Sequence, residues 1–218
     1  MNITISLIIN LIWASAFIFL CQKTLKNICL CGKKDISAVI LAAIFTFACG
    51  VVVSIFGSET SLVCLILNIS VLWICATASV ADIETRIIPY ICTLAIFVCG
   101  LIKLIFRYFD DSLSLNGFLG YAAGALFAFC LMAVSGFIVK NGIGAGDIML
   151  LTALGFYFGL SLSFGIVFRA VAAAFLFGIA LLLLKKAGKK TTIPFAPFIF
   201  LGVVITVIKN SVSEASVF

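Results

Sequence analysis

Apolar runs of about 20 residues, separated by short polar breaks, make up most of the chain. They fall at roughly 3–20, 36–56, 62–80, 88–106, 117–139, 147–161, 164–184 and 194–208, and none alternates apolar and polar residues with a period of two. A helix of about 20 apolar residues crosses a bilayer, whereas a membrane barrel requires alternation. The pattern predicts an all-α fold: a polytopic membrane helix bundle of about eight transmembrane helices, in a single integral-membrane domain over 1–218. The sixth and eighth runs are short for a full crossing. The break between the sixth and seventh, Ser161 to Gly165, is uncharged, and if it is not a turn the count falls to seven.

Composition agrees with the pattern. Of 218 residues, 65% are hydrophobic and 10% charged, with a mean hydropathy of +1.38, which excludes a water-soluble domain. Charge then sets the expected orientation. Ten of the fourteen basic residues (Lys23, Lys26, Lys33, Lys34, Arg86, Lys140, Lys185, Lys186, Lys189 and Lys190) follow the first, third, fifth and seventh runs. Glu59, Asp110, Asp111 and Glu214 fall on the other side. The positive-inside bias makes the basic face cytoplasmic and both termini extracytoplasmic. It also explains the net charge of +6 without a nucleic-acid partner, leaving the lipid bilayer as the expected surroundings. The first run has no basic stretch before it and reads as a retained anchor rather than a secretory signal.

Nine cysteines are present; Cys49, Cys64, Cys75, Cys92, Cys99 and Cys130 lie inside apolar runs, where a thiol packs as a small hydrophobe. Cys21, Cys29 and Cys31 cluster in the first cytoplasmic break, but without a C-x-x-C pair or any histidine they make a poor zinc set. No metal and no cofactor are expected. The absence of histidine also excludes HExxH zinc proteolysis and serine–histidine chemistry, and no phosphate-binding loop is present.

Acids on the expected cytoplasmic side are Asp35, Asp82, Glu84 and Asp147. Asp35 has lysine neighbours and reads as a solvated loop charge. Asp82 and Asp147 stand at the edges of long apolar runs, where a carboxylate is costly unless it is solvated, paired or used. Each also has an ordinary explanation: Asp82 as an interfacial charge on a connector, paired with Arg86, and Asp147 as a cap for the helix it opens. Gly142, Gly144 and Gly146, just before Asp147, would permit positive φ and close approach of a substrate backbone. Two carboxyl groups at one membrane face suit aspartyl chemistry, in which the pair shares a proton, one member activates water and the other supports the oxyanion.

Three segments together resemble the type IV prepilin peptidases, intramembrane aspartyl proteases with a GxGD signature. DIETRIIP, from Asp82 to Pro89, is similar to the family's first aspartate motif; GAGD, from Gly144 to Asp147, followed by LLTALG, is similar to its second. IPFAPFIFLG, from Ile193 to Gly202, resembles the proline-bearing start of its last helix. The resemblance implies a core over about 60–208, catalytic Asp82 and Asp147, and substrate contacts at Glu84, Pro89, Gly144 and Gly146. It further implies prepilin or pseudopilin substrates, whose short basic leader ends in glycine before a hydrophobic helix, cut at the cytoplasmic face of a prokaryotic plasma membrane. Tyr90 departs from the usual asparagine or aspartate, and Met149 from the usual lysine. The connector from Cys21 to Asp35, about 15 residues, has no room for the zinc-binding domain linked to methylation, so a short form that cleaves without methylating is expected. A small ion- or proton-coupled transporter, or a homologue without activity, would also place acids at broken helices.

Overall fold

The third apolar run is the axis of the structure. In a computed structural model that describes residues 2–28, 36–56, 61–110, 115–138, 144–184 and 193–215, this run forms the helix α3 (Leu62–Thr85), and nearly every residue from Ile69 to Asp82 is buried. A helix apolar on all sides is stable in that position because neighbours cover every face. Around it lie α1 (Asn2–Ile28), α2 (Ile36–Phe56), α4 (Tyr90–Phe109), α5 (Leu115–Ile138), α6 (Ala145–Leu183) and α7 (Ala196–Ala215). α1, α2, α4 and α7 pack on α3, while α6 packs on α4, α5 and α7.

Among the described residues, four helices are long and apolar enough to cross a membrane, and three shorter apolar stretches accompany them. The chain is a multi-pass membrane protein with an all-α bundle. α3 runs five residues beyond the end expected at 80, which takes Asp82 off the connector and into the last helical turn.

The sixth and seventh expected runs follow one another in the 39 residues of α6, which are two helices joined at a kink. Straight, it would measure roughly 58 Å, about twice the hydrocarbon thickness. It is not straight: Gly159 adopts φ 76°, ψ 172°, a conformation open essentially only to glycine. Asp147 and Val171, twelve residues to either side of Gly159, line the same cavity, so the two limbs run back alongside each other. The expected break at Ser161–Gly165 is itself helical, and the chain reverses at Gly159 instead. Among the described residues, the seven helices thus comprise eight limbs.

Backbone contact and local polar groups hold the reversal. A Cβ on Gly124 of α5 would lie 2.4 Å from the carbonyl oxygen of Gly155, and one on Gly155 equally close to that of Gly124, so α5 and the first limb touch through bare backbone. The hydroxyl of Ser163 donates to the carbonyl of Gly159. Lys103 donates to the carbonyl of Tyr157 at 3.4 Å and sits 4.3 Å from the centre of its ring, which places a cation at the C-terminal end of the first limb, where the helix dipole favours one.

α1 and α2 are fastened to α3 by buried polar groups. The Trp73 indole donates to Asn10 Oδ1 at 2.9 Å, and Asn10 Nδ2 donates to the Phe47 carbonyl at 3.2 Å. Gly50 leaves the space that the Asn10 amide occupies. The six cysteines expected inside apolar runs are free thiols.

Candidate active site

Asp82 ends up buried because α3 stays helical to Thr85 and then stops abruptly. Arg86 takes the left-handed conformation at φ 58° and its N–H donates to the Asp82 carbonyl at 3.0 Å, closing the helix. The connector then turns at Ile87–Pro89, and Pro89, extended at φ −62°, ψ 127°, stands just before the first residue of α4. Near this turn the first limb of α6 begins. Gly144 is its N-cap, and Asp147, in the first turn, donates its backbone N–H to the Gly144 carbonyl at 3.1 Å. Gly144 rather than Asp147 is thus the N-cap residue, and the Asp147 carboxyl reaches back to the Gly144 backbone N–H.

The two aspartates lie at the same end of the bundle, within range of each other's charge. Oδ2 of Asp82 accepts a 3.0 Å hydrogen bond from the backbone N–H of Ala196, the first residue of α7. That N–H is one of the donors a helix start leaves unsatisfied, so the Asp82 carboxyl faces a helix N-terminus. One turn earlier on the same face of α3, Ser79 Oγ lies 3.2 Å from the Ala196 carbonyl and ties the same residue down from its other side. Oδ1 of Asp147, in contrast, is buried with no hydrogen-bond partner among the described residues. A buried carboxyl oxygen without a partner is expensive.

Asp147 also forms part of the wall of a cavity of about 390 Å³ between α5, the second limb of α6 and the segment leading into α7. Apart from Asp147, the wall is apolar except for Ser135, whose hydroxyl donates to the Leu131 carbonyl of its own helix at 2.8 Å.

The remaining expected site residues fall around this pair rather than in the cavity wall. A Cβ on Gly146 would lie 3.1 Å from that of Ile88, so this glycine lets the Asp147 helix approach the connector after Asp82. A Cβ on Gly144 would meet Asp147 Oδ2 at 3.3 Å. Neither glycine has positive φ; among the described residues only Arg86 and Gly159 do, and Gly142 lies outside them. The glycines therefore provide clearance, not left-handed backbone. Glu84 is half-buried, two residues beyond Asp82 and so on roughly the opposite side of α3. Arg169, in the second limb of α6, donates to Thr206 of α7.

Among the described residues no cluster of three or more His, Cys, Asp or Glu could hold a metal ion. Cys29 and Cys31 lie outside those residues.

With this geometry in place, the comparisons with known proteins are specific. The model of the type IV leader peptidase family matches residues 69–183, more than half of the chain. The chain belongs to the type IV leader peptidase family. The matched range includes both aspartates and the α6 reversal. A curated relative, the prepilin leader peptidase/N-methyltransferase of Bacillus subtilis (strain 168), is 37% identical over 89 residues, 41% of this chain and 34% of the relative. The match thus covers about a third of that relative's length. No solved structure matches.

Two residues packed against Asp82 were not singled out from the sequence: Ser79 and Ala196. Ser79 precedes Asp82 by one helical turn, and Ala196 stands between Pro194 and Pro197. Those prolines were visible; that the N–H between them is the one available to Asp82 depends on how α7 meets α3.

Proposed function

We propose that the protein is an intramembrane aspartic endopeptidase that removes the basic leader of prepilin or pseudopilin substrates, with Asp82 and Asp147 activating water between them. The observation that carries this reading is the unequal treatment of the pair: one oxygen of Asp82 is held by the start of α7, while Oδ1 of Asp147 is buried and unpartnered.

Two carboxyl groups sharing a site in a poorly solvated setting retain one proton between them. The ionised member takes a proton from water as the water oxygen bonds to the scissile carbonyl carbon. The protonated member donates to the carbonyl oxygen as that oxygen gains charge. Collapse of the tetrahedral intermediate breaks the C–N bond, with a proton passing from the dyad to the departing amine. The Ala196 N–H stabilises the charge of the pair throughout, and the close contact of Gly146 with Ile88 keeps the two motifs together. Pro89 and Gly144 border the entry to this place, and Glu84 offers a charge to the leader's lysines or arginines.

The basic connecting segments after α1, α3, α5 and α6 favour a cytoplasmic site, in the plasma membrane of a prokaryote. The test is purified protein in proteoliposomes with a prepilin bearing a basic leader, followed by intact mass. A single cut directly after the leader glycine is expected; cuts scattered through the leader, or none with several prepilins, would refute the assignment.

A further inference from the structure

The cavity beside Asp147 differs from an ordinary polar active-site mouth. Of its volume of about 390 Å³, the walls are formed by side chains such as Leu131, Met132, Ala174, Phe175 and Ile193, and the one hydroxyl, on Ser135, donates within its own helix. An apolar cavity of about 150 Å³ is enough to accept benzene, so this one has room for any single apolar side chain. Its polar groups are the Asp147 carboxyl and the Ser135 hydroxyl, whose proton is already committed, so a polar side chain placed there would recover little of the solvation it loses.

We infer that this cavity is the specificity subsite for the first bulky apolar side chain after the scissile bond. The inference rests on the proposed peptidase reading. The leader's last residue, glycine, has no side chain to place, and the rest of the leader is basic. The first group that an apolar space next to Asp147 can take therefore belongs to the hydrophobic helix that follows the cut. Filling the cavity anchors that residue and fixes the carbonyl just before it against the dyad. Ala174, from the second limb of α6, and Met132, from α5, both line it.

The test changes the cavity and the substrate together. Ala174→Phe fills it and Met132→Ala enlarges it, and each is assayed with prepilins carrying Phe, Trp or Ala directly after the leader glycine. Ala174→Phe is expected to lower kcat/KM for the Phe substrate relative to the Ala substrate by about tenfold or more, the size of effect that a few methylene groups have in an apolar pocket. Met132→Ala is expected to favour Trp over Phe relative to the parent protein. If both variants leave these ratios unchanged, or slow all substrates equally, the subsite assignment is overturned, including in favour of a cavity filled by a lipid chain. Should Ala174→Phe fail to fold, the Trp to Phe ratio of Met132→Ala decides alone. Asp82→Asn, run in parallel, separates the two claims: its loss of cleavage with unchanged ratios elsewhere refutes the subsite only, whereas retained cleavage refutes the peptidase dyad beneath it.

Discussion

The hydrogen bond between Ala196 and Asp82 can be removed almost alone. Ala196 is the first residue of α7, a position where proline is well tolerated because its missing N–H has no intrahelical partner. Ala196→Pro therefore deletes the donor that lies 3.0 Å from Asp82 Oδ2 while keeping the backbone helical, in a segment already stiffened by Pro194 and Pro197. A hydrogen bond to a charged group contributes about 1.5–3 kcal/mol. With 1.36 kcal/mol for each tenfold change in rate, removal should lower kcat by about 10- to 100-fold, with KM changed by less than about threefold. Ala196→Gly keeps the N–H and should cleave within about threefold of the parent. The assay is leader removal from a purified prepilin in proteoliposomes, with a thermal melt of each variant in detergent. Parent-like turnover by Ala196→Pro would refute the reasoning. Equal losses in Ala196→Pro and Ala196→Gly would also refute it, since the effect would then belong to the side chain and not to the N–H.

Other consequences follow from the bundle itself. Gly159→Val forces a β-branched residue into φ 76°, ψ 172°, a cost of about 1–3 kcal/mol or more, so Tm should fall and leader removal with it; a Tm equal to the parent's would contradict the reversal at Gly159. Gly124→Val places side-chain atoms where the Gly155 carbonyl lies and should separate α5 from the first limb of α6, seen as lost yield of folded protein; normal yield and Tm would contradict the backbone contact. Asn10→Ala strips the acceptor from the buried Trp73 indole and should lower stability by about 1–3 kcal/mol by denaturant titration, while turnover by the surviving folded protein stays near the parent value.

How far the sequence carries can be judged at particular residues. The helical class and the meeting of the two motifs at one face follow from run length and from the number of passes between Asp82 and Asp147, because an even count returns the chain to the same side. The position of the reversal does not. Ser161–Gly165 has the polar residues of a turn, but Phe156 to Leu160 has the one glycine whose backbone the fold bends, and apolarity alone does not rank the two. Capping was legible only in part: Gly144 takes the N-cap, and Asp147, three residues on, reaches back to the Gly144 N–H while its Oδ1 is buried with no partner among the described residues. The role of the GIGAG glycines shows the same limit. Clearance against Ile88 is a contact between two distant segments, and local sequence carries only the permission for it, not the partner.

The most direct measurement of the central claim is cleavage of one prepilin by the parent protein, Asp82→Asn and Asp147→Asn at matched amounts of folded protein, each reconstituted separately. Both substitutions keep size and remove the exchangeable proton and charge of the pair. The account predicts that the parent cuts after the leader glycine and that each single variant loses activity by at least about a thousandfold, with no partial activity in one of them, because neither carboxyl works alone. Parent-like cleavage by either variant would contradict the dyad and remove that aspartate from the chemistry.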